Sequence, residues 1–123
     1  PEEIEMAVSY FNENYNTKIS VAQYAESLHI STNWFIRNFK QYMKMSPAQY
    51  LLSLRMVNAQ SLLENTDYSV GEIAEIVGYD NQLYFSRVFK KEYGISPVQY
   101  RKRAESRSAV PMESDIEEIT RED

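Results

Sequence analysis

The chain repeats itself. Ser20, Val21, Ala25 and Leu28 recur as Ser69, Val70, Ala74 and Val77 at an offset of 49 residues. Phe35, Arg37, Phe39, Lys40, Ser46, Pro47, Gln49 and Tyr50 recur as Phe85, Arg87, Phe89, Lys90, Ser96, Pro97, Gln99 and Tyr100 at an offset of 50. The extra residue falls in the turn between the two blocks. A self-similarity of this period marks two copies of one supersecondary unit. Each copy reads as a short helix, a tight turn, a longer helix with aromatics inside and bases outside, and the capped start of another helix. That is the pattern of a helix-turn-helix, and the fold class it predicts is all-α.

Between the copies runs S-P-A-Q-Y-L-L-S-L-R-M-V-N-A-Q-S-L-L-E-N-T, Ser46 to Thr66. Ser46 suits an N-cap, Pro47 sits where its missing N–H costs nothing, and Gln49 completes a capping box. Leu51, Leu54, Asn58 and Leu62 line one face of the predicted helix. Leu52, Met56, Ala59 and Leu63 line the next. Two adjoining apolar stripes describe a helix with a partner on each side. The organisation predicted is therefore a first unit over 1–45, a connecting helix over 46–66, a second unit with a closing helix over 67–104, and an acidic, flexible tail over 105–123.

Local signals fill in the rest. Residues 2–15 form an opening helix with Ile4, Val8 and Phe11 inward and Ala7 beside them. Ser20 with Gln23 and Ser69 with Glu72 read as further capping boxes, Ser31 and Asp80 read as caps of the two longer helices, and Ser96 to Gln99 opens the last helix, through about Ala104. Phe35, Phe39, Phe85 and Phe89 belong to the core, with Ile73, Ala74 and Pro97. Arg55 lies among apolar residues and reads as structural, capping carbonyls or paired with Glu72, Glu75 or Asp80. Trp34 and Tyr84 occupy matching positions and read as semi-buried, with a phosphate contact the sharper role for Tyr84. The copies differ at three places: Lys44 stands opposite Gly94, His29 opposite Gly78 and Asn38 opposite Val88. A lysine where φ > 0 is needed predicts a first turn that is looser or differently shaped, and a polar Asn38 must find a partner or stay wet. A lone turn histidine reads as structural.

Charge must be read locally. The formal net charge is −5, yet residues 105–123 hold seven acids and two bases, and residues 10–104 hold eleven bases and eight acids. The global acidity therefore does not exclude nucleic acid. There is no 18-residue apolar run to span a membrane and no signal peptide. The start at Pro1 points to a piece of something longer. The absence of cysteine excludes disulfides and fits a cytoplasmic protein. One histidine, no phosphate-cradling glycine loop and no clustered metal ligands argue against an enzyme, a cofactor or a metal.

The stretch G-Y-D-N-Q-L-Y-F-S-R-V-F-K-K-E-Y-G-I-S-P-V-Q-Y-R, Gly78 to Arg101, resembles the signature of the DNA-binding domain of the AraC/XylS family of bacterial transcription regulators. The first copy, A-E-S-L-H-I-S-T-N-W-F-I-R-N-F-K, and the central L-R-M-V-N-A-Q-S-L-L resemble the family too, over roughly 10–103. The resemblance implies a seven-helix domain whose two recognition helices enter successive major grooves of double-stranded DNA. It also implies contact with RNA polymerase and dimerisation through an upstream domain. Outward positions that match the family's base readers are Thr32, Asn33, Ile36 and Arg37 in the first unit, and Asn81, Gln82, Leu83, Ser86 and Arg87 in the second. Lys40, Lys90 and Lys91, with Ser20 and Ser69 at helix N-termini, are candidate phosphate contacts. Arg101, Lys102 and Arg103 either touch backbone phosphates or form a solvated helix end. The tail is expected to compete for the basic face. The other reading of the same residues is a helical protein-interaction module that reuses the fold.

Overall fold

The computed structural model describes residues 1–109, with side-chain surroundings given for 1–107. Over that range it has seven helices: α1 Glu2–Asn14, α2 Val21–Ser27, α3 Thr32–Met43, α4 Pro47–Asn65, α5 Val70–Ile76, α6 Gln82–Tyr93 and α7 Pro97–Ala109. The starts follow the caps. Ser46 with Gln49, Ser69 with Glu72 and Ser96 with Gln99 form complete boxes. At α2 the box is only half made: Ser20 Oγ accepts from the Gln23 N–H, without the return bond. The cap of α6 is Asn81, whose Oδ1 accepts from the Tyr84 N–H at 3.0 Å. Asp80, one residue earlier, instead pairs with Lys18 at 2.7 Å. The closing helix passes Ala104 and is described as far as Ala109, because A-E-S-R-S-A contains no breaker. Residues 105–109 are thus helix rather than tail, and the rest of the expected tail lies outside the described residues.

Two separate cores divide the molecule. Ile4, Ala7, Phe11, Ala25, Phe35, Phe39 and Leu51 form the first, and Met56, Ala59, Leu63, Ile73, Ala74, Val77, Tyr79, Phe85 and Phe89 form the second. The connecting helix is shared lengthwise. Its early residues Leu51 and Leu54 face the first core, while Leu52, Met56, Ala59, Leu62 and Leu63 face the second. Leu54 and Leu62, expected as core, are half-buried at the margins. The rings pack alike in both halves. Phe35 and Phe39 lie 5.7 Å apart, Phe85 and Phe89 6.0 Å, and each second ring meets a tyrosine edge, Tyr50 at 5.8 Å and Tyr100 at 5.5 Å. Truncating any of these fully buried phenylalanines to alanine should cost about 3–5 kcal/mol.

The duplication is wider than its sequence signature. Ile4, Ala7 and Phe11 of α1 hold the same places as Met56, Ala59 and Leu63 of α4, each 52 residues on and each essentially buried. Tyr50 Oη donates to Asn12 Oδ1, and Tyr100 Oη donates to Glu64, again 52 residues on. Each unit is therefore an opening helix, a helix-turn-helix and a closing helix, with α4 closing the first and opening the second. Arginines of the closing helices cap the ends of the opening ones. Arg101 donates to the carbonyls of Leu63 and Thr66, both at 3.2 Å. Arg55 donates to those of Tyr15 at 2.8 Å and Thr17 at 2.9 Å. Of the two roles expected for Arg55, carbonyl capping holds; Glu72, Glu75 and Asp80 do not pair with it.

The three departures between copies are absorbed locally. Ile30 N–H to Ala25 O (3.1 Å) and Tyr79 N–H to Ala74 O (2.8 Å) close the same turn, with His29 at φ +59° and Gly78 at φ +104° in its left-handed position. Lys44 at φ +66° and Gly94 at φ +81° end α3 and α6 with matching bonds to Lys40 O and Lys90 O. The first turn is thus strained and not looser. Asn38 donates to Trp34 O at 2.7 Å, its partner one helical turn back.

Candidate nucleic-acid interface

The second helix of each helix-turn-helix divides cleanly by side. On α3 the phenylalanines face the core, while Asn33, Ile36, Arg37 and Lys40 are exposed and Thr32 is half-buried. On α6 Asn81, Gln82, Leu83, Arg87, Lys90 and Lys91 are exposed and Ser86 is half-buried. Arg37 and Arg87 hold equivalent places, as do Lys40 and Lys90. Helix α3 carries no acid, and α6 carries Glu92 against three bases, so both outward faces are positive. An α-helix has the width that a major groove of B-DNA admits.

Small residues under these helices matter to their pose. Ala25 and Ala74, both buried, lie on the first helix of each helix-turn-helix. A Cβ on Gly71 would stand 2.8 Å from Gln82 Oε1, so the absent side chain lets the Gln82 amide lie against α5. Nothing in the sequence marked Gly71, because its counterpart in the first copy is Ala22.

A family profile described as a helix-turn-helix domain matches residues 24–103. The HTH-type transcriptional regulator YisR of Bacillus subtilis is 38% identical over 96 residues, 78% of this chain and 33% of YisR. The DNA-binding domain of AdpA, a global transcriptional factor solved in complex with a target DNA, is 30% identical with a TM-score of 0.79, covering 85% of this chain and 94% of that one. An AraC-type transcriptional regulator from Chromobacterium violaceum is 28% identical with a TM-score of 0.73, covering 84% and 92%. The chain belongs to the AraC/XylS family. It is a regulator's helix-turn-helix DNA-binding domain. The chain spans about a third of the length of the curated relatives it matches.

Within this AraC/XylS-type domain some expected roles gain a physical basis and others lose it. Ser69 loses it. Its backbone N–H and Oγ are both engaged by Glu72, and the bond to the Ser69 N–H, with that to its side chain, holds the Glu72 carboxyl below its ordinary pKa. A carboxylate already occupies the start of α5, where a phosphate would meet like charge. At Ser20 the equivalent residue is the neutral Gln23. Tyr84 is 59% exposed rather than semi-buried, while Trp34 is half-buried as expected. The Tyr84 ring packs tilted against Tyr79, 5.8 Å between centroids. Arg101 is committed to the end of α4, leaving exposed Lys102 and Arg103 as the available bases there. No helix among the described residues is long and apolar enough to cross a membrane.

Proposed function

We propose that this AraC/XylS-type domain reads a promoter or operator in double-stranded DNA by placing α3 and α6 in successive major grooves on one face of the duplex, about 34 Å apart. Arg37 and Arg87 take guanine by bidentate contacts. Asn33, Gln82 and the free amide nitrogen of Asn81 take adenine or hydrogen-bond nearby. Ile36 and Leu83 meet thymine methyls, and Thr32 and Ser86 make short contacts at the groove edge. Lys40, Lys90, Lys91, Tyr84 and Ser20 hold phosphates. In the whole regulator, this output works in the cytoplasm with contact to RNA polymerase and dimerisation through an upstream region.

The observation that supports the reading is the matched exposure of Arg37 and Arg87 above phenylalanines buried at equivalent depth. The test is selection of duplexes from a random library, followed by fluorescence anisotropy at physiological salt. Arg37→Ala and Arg87→Ala should each weaken binding to the selected site by about 1–3 kcal/mol, roughly 5- to 150-fold, and relax one base position apiece. Equal binding of selected and scrambled duplexes would sink the proposal and favour the protein-interaction reading.

A further inference from the structure

We infer that the loop between α1 and α2, gripped by Arg55 and seated against Gly78, braces the second helix-turn-helix against the first and fixes the angular phase of α6 relative to α3. Arg55 is then a positioning residue that sets which half-site spacing the domain accepts. The functional part of this inference rests on the two-groove reading above; the mechanical part does not.

Two bodies strung on one helix are fixed along its axis but weakly in rotation. Helix α4 has 19 residues, a rod of about 28 Å, and helices of that length bend and curve. A second contact off the axis turns such a joint into a rigid frame. The repeat shows where that contact was added. Opening helices match at an offset of 52 and the following caps at 49, so Phe11 to Ser20 spans three more residues than Leu63 to Ser69, and the α1–α2 loop is the longer of the two. The longer loop, Tyr15 to Lys18, is the segment that reaches the second unit.

Three contacts join it there. Arg55 binds the carbonyls of Tyr15 and Thr17, and its guanidinium carbon lies 5.2 Å from the centre of the Tyr79 ring. Tyr79 belongs to the turn of the second helix-turn-helix and meets Phe85 of α6 at 5.6 Å. One cation thus ties the first unit's loop to the base of the second recognition helix. Next, the backbone of Asn16 lies 3.1 Å from where a Cβ on Gly78 would stand. Last, Lys18 pairs with Asp80 at 2.7 Å. That pair is exposed and contributes little. Tyr15 also packs against both cores. The first unit has no such arrangement: His29, in the place of Gly78, is exposed, and Ile30 stands where Tyr79 would. Glycine and tyrosine occur in the copy whose turn is pressed against a neighbour.

The native chain has no cysteine, so Gln41→Cys with Lys91→Cys places spin labels at exposed, equivalent sites on α3 and α6. Pulsed electron paramagnetic resonance then reads the distance distribution in the DNA-free domain. Adding Arg55→Gln should at least double its width, with helical circular dichroism unchanged. An unchanged mean and width in the folded variant would overturn the brace. Should Arg55→Gln fail to fold, Tyr79→Leu with Lys18→Ala replaces it, and an unchanged distribution there overturns it equally. Duplex selection supplies the second arm. The unsubstituted domain should select one half-site spacing, and Arg55→Gln should accept the same half-sites at spacings one base pair longer and shorter. Strict retention of a single spacing by the folded variant would refute the positioning role. A selection that returns one half-site from the unsubstituted domain counts against the two-groove reading, and the label distances still judge the brace.

Discussion

Three left-handed positions give a graded test of the turns. Gly94 has φ +81° and open space around the place of a Cβ, so Gly94→Ala adds backbone strain alone. That strain is about 1–2 kcal/mol, offset by roughly 0.5–1 kcal/mol because alanine restricts the unfolded chain. A net loss of about 0–1.5 kcal/mol follows. Gly78 has φ +104°, and its new methyl would meet three backbone atoms of Asn16, each at 3.1 Å. Backbone cannot swing aside as a side-chain tip can, so either the loop moves or the turn opens. Gly78→Ala should cost about 2–3 kcal/mol, the overpacking of a tight contact added to the strain. Lys44 has φ +66° and is exposed, so Lys44→Gly should relieve strain and stabilise by about 0.5 kcal/mol. Urea denaturation with a common m-value measures all three. A Gly78→Ala loss no larger than that of Gly94→Ala would refute the claim that the α1–α2 loop bears on the second turn.

Arg101→Ala should destabilise the domain by about 1–2 kcal/mol, since two carbonyls at the end of α4 lose a charged donor; thermal melts would show a fall in Tm. Burial and the bond to Glu64 push the Tyr100 phenol up to about 12 from 10. The folded state then holds the proton more tightly, so stability from this group is complete below pH 10 and declines as pH rises toward 12. A Tyr100→Phe variant should lack that decline in alkaline melts. Glu72 behaves oppositely: its lowered pKa means the cap of α5 is complete above the ordinary value of 4.5 and lost on acidification below it. Carbon-13 carboxyl shifts should give a Glu72 midpoint under 4.5. Removing residues 110–123, which hold six acids and one base, should tighten DNA binding at low salt and have little effect at high salt. An unchanged low-salt affinity would rule out competition by that segment.

What the sequence by itself determined is what depends on near neighbours along the chain. Caps act over three residues, so the helix starts at Ser31, Ser46, Ser69 and Ser96 were legible. The helix-turn-helix copies were legible because Ala25 and Ala74, and the phenylalanine pairs, keep fixed spacing. The outward residues of α3 and α6 followed from the same helical period, and the structure exposes Arg37 and Arg87 as that period requires. What only the tertiary structure decided are the places where one element's surface defines another's. The match of α1 to the second half of α4 is hidden, because Ile4 against Met56 and Phe11 against Leu63 conserve burial and not identity, and because the following loops differ in length. Carbonyl capping was open to Arg55 from the sequence, but which carbonyls Arg55 and Arg101 bind was decided by the fold, since every residue carries one. Tyr84 is exposed where Trp34 is half-covered, since coverage comes from neighbours of different shape. Gly78 and His29 both hold positive φ, and the nearness of the Asn16 backbone to Gly78 is a constraint that no letter records. Hydrogen-bond chemistry along a helix is local and survives in the letters; the packing of one unit on the other is not, and arises only when both are folded.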